Sequence, residues 1–424
     1  MIFGRKGRGV DSGAQASSSK PEAAVQAPPP APPSVDPAGV VRYLYRTLLR
    51  REPDADALAN CVAWMGDGAS IDDIHAAITA SDEYRGASDA HPIAKFSDIY
   101  TRTNLSYFTH RGRFRPLALS IETVNICNND CVICPYSIQT RKKQGMDMAV
   151  FAKVVGDYAA LGGGPVTLTP MVGEALLDKQ LLERLKLLRA TPAVTRISAI
   201  TNATMAYLYS DEELAELGGY FDRLTVSVYG LDREEFAAMT RKDQYDKFME
   251  SLARLVRILG PGKIGLGARH LKARTDEDID AWLAEVARRA GVAGGLLSLP
   301  GTRTYANWTV FDTSKPLPLD AQWMAPQVNT EQCALPLISL QVLSSGQVSF
   351  CGCADFDGKT ALMLGDIREH SLADLLDSDK VRQLWDWQGC GVPDPCKGCS
   401  FHMPISRLSQ LPSAFTDPLG TFGG

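Results

Sequence analysis

No stretch of the sequence approaches the roughly 18 consecutive apolar residues that a membrane-spanning helix needs. An excess of positive charge is also missing. Lys and Arg number 44 against 49 Asp and Glu, for a formal net charge of −5, so there is no electrostatic footprint for nucleic acid. The first nine residues carry Arg and Lys but no apolar core follows them, so they are not a secretory signal. Without export, a chain with ten Cys is expected in a reducing cytoplasm, where thiolates are free for metal. The remaining composition, 45% hydrophobic and 22% charged, is ordinary for a globular protein. At 424 residues the chain exceeds the usual single core, which predicts two or three domains.

Three of the Cys stand in the run Cys127-Asn-Asn-Asp-Cys131-Val-Ile-Cys134-Pro. Thiolates at this spacing can bind three corners of a cubane iron–sulfur cluster and leave the fourth iron without a protein ligand. Ordinary four-iron ferredoxin sites use four Cys, so a missing ligand means an open coordination position that can bind and activate a molecule. A structural zinc site wants four N or S ligands, and no His is near. A disulfide framework suits a small secreted chain. Inert packing Cys would not crowd together amid Asn and Asp.

Along the chain, residues 1–37 are rich in Ala, Pro and Ser and include Pro28-Pro29-Pro30-Ala31-Pro32-Pro33. They read as a disordered, partly polyproline tether. Residues 38–88 turn helical: Val41, Leu44, Tyr45, Leu48 and Leu49 recur at helical spacing, Leu58, Val62 and Trp64 mark a second helix, and Ser70 caps a third with Ile71, Ile74 and Ile78 on one face. Cys61 reads as packing within the second helix. From about residue 115 to 315, short apolar runs (117–124, 166–170, 196–201, 223–229, 263–268) alternate with amphipathic helices (149–161, 179–189, 211–217, 245–259). That rhythm gives an α/β fold with a parallel sheet and outer helices. Residues 330–402 carry short strands, turns and six more Cys; 403–424 read as a tail.

The Cys run resembles the signature of the radical S-adenosylmethionine (radical SAM) enzymes, in which the methionine part of the cofactor occupies the open iron. The resemblance implies a partial (β/α)6 barrel with chemistry at the C-terminal ends of its strands, and the Cys loop does follow the first strand. It also implies roles for further residues. Ile133 falls where the family packs a bulky apolar or aromatic residue on adenine, and Tyr136 can serve instead. The run Met171-Val172-Gly173-Glu174-Ala175 resembles the family's Gly-Gly-Glu-Pro motif, which binds the methionine ammonium. Only Gly173 and Glu174 match it, and alone such a pair is an ordinary turn. Asn202, in Thr201-Asn202-Ala203-Thr204, falls in a Thr-Asn-Gly-like turn and would bond the ribose or methionine, with a simple Asx turn as the alternative. Ser227 falls beside the cofactor. Arg241 falls where relatives carry an arginine whose fork suits the cofactor carboxylate, with a surface helix-end arginine as the alternative.

Cys333 and Cys351, with Gly346 between them, resemble the hairpin of the auxiliary-cluster domains called SPASM and twitch. Cys396-Lys-Gly-Cys399 adds a close pair, and the four would hold one auxiliary [4Fe–4S] cluster with no free iron. Cys353 and Cys390 are spare candidates, and structural zinc is the competing occupant. The block Tyr43–Asp54 with Trp64 and Ser81–Tyr84 resembles a small helical domain found in bacterial proteins beside carbohydrate enzymes, and a docking or spacer role is expected of it. Together these resemblances imply reductive cleavage of S-adenosylmethionine and hydrogen abstraction from a substrate carbon, with electrons from a donor such as flavodoxin or ferredoxin. Oxidation or epimerisation of a small molecule or sugar is the first expectation. Modification of a peptide or protein side chain is the second, and a non-enzymatic electron carrier the third. Tyr229, Arg269, His270, Tyr305 and Trp308 occupy barrel-top positions, and none stands out as a general base.

Overall fold

In the strand segments between residues 118 and 269, apolar residues alternate with small, hydroxylated or charged ones, and the two sets point to opposite faces. A computed structural model describes residues 36–49, 51–90, 116, 118–325, 327–330, 332–352, 355–385, 387 and 389–404. The expected tails, 1–37 apart from its last two residues and 403–424 apart from its first two, lie outside these, as does Cys353. Six strands, β1 (Ala118–Ile121), β2 (Gly164–Leu168), β3 (Val194–Thr201), β4 (Arg223–Val228), β5 (Ile264–Arg269) and β6 (Gly301–Thr302), pair in parallel in chain order. Leu119, Ile121, Val166, Leu168, Val226 and Leu266 face outward into one apolar core with the covering helices. On the inner face stand Ser120, Thr167, Ser198 and Ser227. Thr167 and Ser198 hydroxyls meet across the β2–β3 ladder at 2.8 Å. This is the expected α/β architecture, a partial (β/α)6 barrel.

The covering helices at Met148–Ala160, Leu181–Arg189, Asp211–Tyr220 and Tyr245–Leu259 match the sequence pattern. Helices Arg233–Thr240 and Asp276–Ala290 and the two-residue β6 come in addition. Capping boxes at Ser210/Glu213 and Thr275/Asp278 fix two of the helix starts. A separate parallel pair follows, β7 (Thr304–Tyr305) and β8 (Gln322–Trp323).

The C-terminal strands do not stand apart from the barrel. β9 (Ser339–Val342) pairs in parallel with β1, and β10 (Gln347–Ser349) and β11 (Met363–Asp366) continue antiparallel from it. The result is one nine-stranded sheet, β11-β10-β9-β1-β2-β3-β4-β5-β6. Glu122, fully buried just past β1, receives both guanidinium nitrogens of Arg141 at 2.6 and 2.8 Å and the Ser344 backbone N–H at 3.0 Å. That knot ties barrel, post-Cys segment and C-terminal strands together.

The N-terminal helices, Pro37–Leu44, Ala55–Gly66, Ile71–Thr79 and Asp82–Ala90, share a core of Val40, Leu44, Leu48, Ile71, Ile74 and Ile78. Cys61 packs against it. The first helix begins at Pro37 with Asp36 as its cap, so the helical unit includes the end of the segment expected to be tether. Ser70 caps the third helix, with Asp73 completing a capping box. Among the described residues, no helix is long and apolar enough to cross a membrane.

Candidate functional site

The inner faces of the strands and the loops at their C-terminal ends enclose a cavity of about 470 Å³. Cys127, Cys131 and Cys134 all line it, as do Ile133, Tyr136, Gly173, Glu174, Asn202 and Ser227. The residues predicted for the cofactor pocket thus converge, with one exception. Arg241 ends the helix Arg233–Thr240 in a left-handed conformation, is 55% exposed, and donates to Asp130 Oδ2 at 2.9 Å on the outer side of the Cys loop.

Local contacts hold the Cys loop against the barrel. Backbone N–H groups of Asp130 and Val132 donate to the carbonyls of Thr240 and Met239 at 3.2 and 2.9 Å. Trp308 Nε1 donates to the Ile133 carbonyl at 2.9 Å. Gly173 lets the β2 loop approach from below. Its φ is +111°, and a Cβ there would lie 2.1 Å from the Val124 carbonyl oxygen. The next residue bonds back, Glu174 N–H to the Ile126 carbonyl at 2.9 Å.

Glu174 is almost fully buried, and protein donors already meet its carboxylate. Leu176 N–H reaches Oε1 at 3.0 Å, Asn202 N–H reaches Oε2 at 2.7 Å, and the Thr201 hydroxyl also donates to Oε1. Burial raises its pKa, and these donors pull against the rise. The carboxylate therefore braces the end of β2 against the end of β3. Asn202 forms the Asx turn, its Oδ1 accepting from the Thr204 N–H at 2.9 Å. Its Nδ2 meanwhile donates to Asn128 and lies 3.8 Å from Cys127 Sγ. Of the two readings of this residue the structure forms the Asx turn, and it turns the side-chain nitrogen toward the Cys loop.

The donor set fits an iron–sulfur cluster. Three thiols face one space, and the Asn129 backbone N–H sits 3.5 Å from Cys127 Sγ. The buried Asn129 side-chain nitrogen has no hydrogen-bond partner and lines the same space. Burial pushes the thiol of Cys127 up to about 12, that of Cys134 up to about 11, and that of Cys131 well above its usual value. Thiolate there needs a bound cation to sustain it. Cys333, Cys351, Cys396 and Cys399 line a second, smaller cavity with His402 and Trp387. Burial, then the neighbouring Cys351 thiol, pushes Cys396 and Cys399 up to about 12. Among the described residues no three His, Cys, Asp or Glu groups converge as ligands of a single bare ion; the thiols surround cavities instead. Cys351 lines both cavities. Cys390 is exposed and lines neither.

Three groups in the sites escape a sequence reading. Asn329, buried, donates to the carbonyls of Cys396 and Cys399 at 2.7 and 3.0 Å and fixes their turn. Gln341 and Met403 bring the C-terminal unit into the main cavity wall. Their partners are remote in sequence, so no local pattern marks them.

Residues 121–286 match the family model described as the radical SAM superfamily, and residues 333–400 match that of the SPASM iron–sulfur cluster-binding domain. A GTP 3′,8-cyclase of Chlorobaculum tepidum is 28% identical over 136 residues, which is 32% of this chain and 40% of that protein. One of Psychromonas ingrahamii is 28% identical over 173 residues, 40% of this chain and 49% of that protein. The match thus spans about half the length of these curated relatives or less. The Streptococcus suis protein SuiB bound to S-adenosylmethionine superposes with a TM-score of 0.48 at 13% identity, covering 83% of this chain and 86% of that one. The two domains carry their cofactors with them: a [4Fe–4S] cluster with S-adenosylmethionine in the first, auxiliary iron–sulfur in the second. With its Cys loop following the first strand of a six-stranded parallel barrel and its second thiol group in the segments around the strands that extend the sheet, the chain belongs to the radical SAM superfamily and carries a SPASM-type unit at residues 333–400.

Proposed function

We propose that the chain abstracts hydrogen from a carbon of a small hydroxylated molecule such as a sugar, in an oxidation or epimerisation. Cys127, Cys131 and Cys134 would hold the [4Fe–4S] cluster, and S-adenosylmethionine would occupy its fourth iron. When bound and reduced, that group supplies the electron that cleaves the sulfonium and so releases a 5′-deoxyadenosyl radical to take the hydrogen. The protein binds, orients and excludes water. Ile133 and Tyr136 offer apolar surface for adenine. Gly173 backbone, the Glu174–Asn202 brace and Ser227 form a polar corner for the methionine ammonium and ribose. Arg241 acts on the Cys loop through Asp130. Cys333, Cys351, Cys396 and Cys399 would hold one auxiliary [4Fe–4S] cluster, and since Cys351 lines both cavities that cluster would supply an acceptor for the second electron of an oxidation.

The observation that carries this reading is the single cavity lined at once by the three-Cys loop, the β2–β3 corner and Cys351. A volume of about 470 Å³ lies in the range that suits small molecules. The cyclase relatives, named for a reaction on GTP, also support a small-molecule substrate. The proposed units are the helical domain to residue 88, now starting at Asp36, the barrel at 115–315 and the auxiliary domain at 330–402. A cytoplasmic one-electron donor of the flavodoxin or ferredoxin type would reduce the clusters, and the N-terminal helices would dock a partner. Anaerobically reconstituted protein, given S-adenosylmethionine and dithionite, is expected to form 5′-deoxyadenosine and methionine. Iron-loaded protein that forms neither would overturn the reading in favour of an electron carrier.

A further inference from the structure

The main cavity has a polar floor of neutral groups. Ser120, Thr167, Ser227 and Gln341 line it, and the first two are paired with neighbouring hydroxyls, Ser120 to Ser339 at 2.7 Å and Thr167 to Ser198 at 2.8 Å. Two formally charged side chains stand among the lining residues, Glu174 and Arg269. The carboxylate is already matched by three protein donors. Arg269 is not matched. It ends β5 on the inner face, and no hydrogen bond or ion pair links its guanidinium to any described residue. Its Nη1 is buried without a partner. The phenols of Tyr229 and Tyr305 are near enough to feel its charge, which pulls down pKa values that burial raises. A buried guanidinium nitrogen without an acceptor carries an uncompensated desolvation cost, and a planar fork of donors suits carboxylate or phosphate oxygens.

Building on the proposed radical SAM function, we infer that Arg269 is the anchor for an anionic group of the substrate, which is therefore a small hydroxylated molecule bearing one carboxylate or phosphate. Sugar acids and sugar phosphates have this chemistry. S-adenosylmethionine also carries a carboxylate, but its position argues against it. The ammonium and carboxylate of an amino acid sit on the same carbon, and the ammonium corner at Gly173 and Asn202 belongs to β2 and β3. β5 lies two ladders beyond β3, about 10 Å along the sheet. The hydroxyls of Ser120 and Thr167, on β1 and β2, fit the neutral part of a substrate, and Trp308, Met324 and Phe401 add apolar surface to the same cavity.

Arginine-selective labelling tests this on the intact holoprotein. Protein carrying both clusters is treated anaerobically with phenylglyoxal, and adducts at Arg269 are quantified by peptide mass spectrometry. The states compared are free, saturated with S-adenosylmethionine, and saturated with S-adenosylmethionine plus inorganic phosphate, with chloride at equal ionic strength as control. Arg269 is expected to react in the first two states and to slow about tenfold when phosphate reaches ten times its midpoint concentration. Protection by S-adenosylmethionine alone would assign the guanidinium to the cofactor carboxylate and overturn the inference. Equal labelling with phosphate and chloride would overturn it as well, as would an Arg269 that reacts in no state. Formation of 5′-deoxyadenosine in the same preparation keeps the two readings apart. Where it forms and phosphate does not protect, only the anion site fails; where it does not form, the radical reading fails.

Discussion

A methyl group on Gly173 would meet the Val124 carbonyl at 2.1 Å, in a backbone conformation that disfavours any Cβ. Gly173→Ala should therefore push the β2 loop off the base of the Cys loop. The cost should be at least 1–3 kcal/mol, on the order of a strained or overpacked site. The expected signature is local: about half of the iron is lost on reconstitution while the C-terminal site stays loaded, measured as iron and sulfide per chain. Glu174→Gln acts differently from a simple ligand loss. It turns one acceptor oxygen toward the Leu176, Thr201 or Asn202 donors as an NH2 group. A loss of about 1–3 kcal/mol in stability, read as a lower urea midpoint, should accompany any fall in cofactor affinity. Burial pushes the Cys134 thiol up to about 11 in metal-free protein by disfavouring its thiolate. At lower pH its iodoacetamide reaction should then accelerate about tenfold per pH unit and level off only above that value. A rate already flat near neutral pH would contradict the burial. At this scale the Cys were legible because three thiols in one short loop have few other uses. Asn329 was not, and Trp308 was legible as a barrel-top residue but not in its bond to the Cys loop, since each bonds a carbonyl 67 to 175 residues away.

The βα alternation could be read from sequence because the strands carry apolar residues under helices and small, hydroxylated or charged ones inside, and capping boxes mark several helix starts. β6 escaped, being two residues long, and so did the union of β9 with β1, which joins segments more than 200 residues apart. The Glu122–Arg141–Ser344 knot secures that union with both charged side chains nearly inaccessible, at 0% and 7% exposure. Removing one partner strands the other charge. Arg141→Met should thus cost about 3–5 kcal/mol and weaken the attachment of β9 and β10, measured as protease cleavage between residues 325 and 345. Unchanged proteolysis and an unchanged urea midpoint would mean that the ladder alone holds the strands. The two thiol groups line different cavities, with Cys351 alone shared between them. Replacing Cys127, Cys131 and Cys134 together with Ala should leave about four of roughly eight iron atoms per chain. Full retention would refute the assignment, and zinc in the remaining site would restore the competing occupant of the C-terminal Cys.

The N-terminal helices close a core of their own, so the barrel should not depend on the residues before them. A chain beginning just before Asp36 is expected to keep full iron and cofactor cleavage. One beginning at Gly39 loses the Asp36 cap and should lower the melting temperature of the helical unit, at a cost of about 1 kcal/mol; calorimetry separates the two. The junction at Asp36 was only approximately legible, because a Pro-rich tether and a helix with Pro at its first position look alike in sequence. The nine-strand order has a consequence for how the molecule is made. β1 emerges early from the ribosome, yet the partner on its outer side is β9. At about 5–20 residues per second, the 221 positions from Ala118 to Ser339 take roughly 10–45 s to synthesise. During that interval the nascent barrel presents an unpaired parallel edge, a template for joining other chains. Any chain truncated before β9 should carry that hazard permanently and collect in inclusion bodies, while the full chain covers the edge with its own last strands.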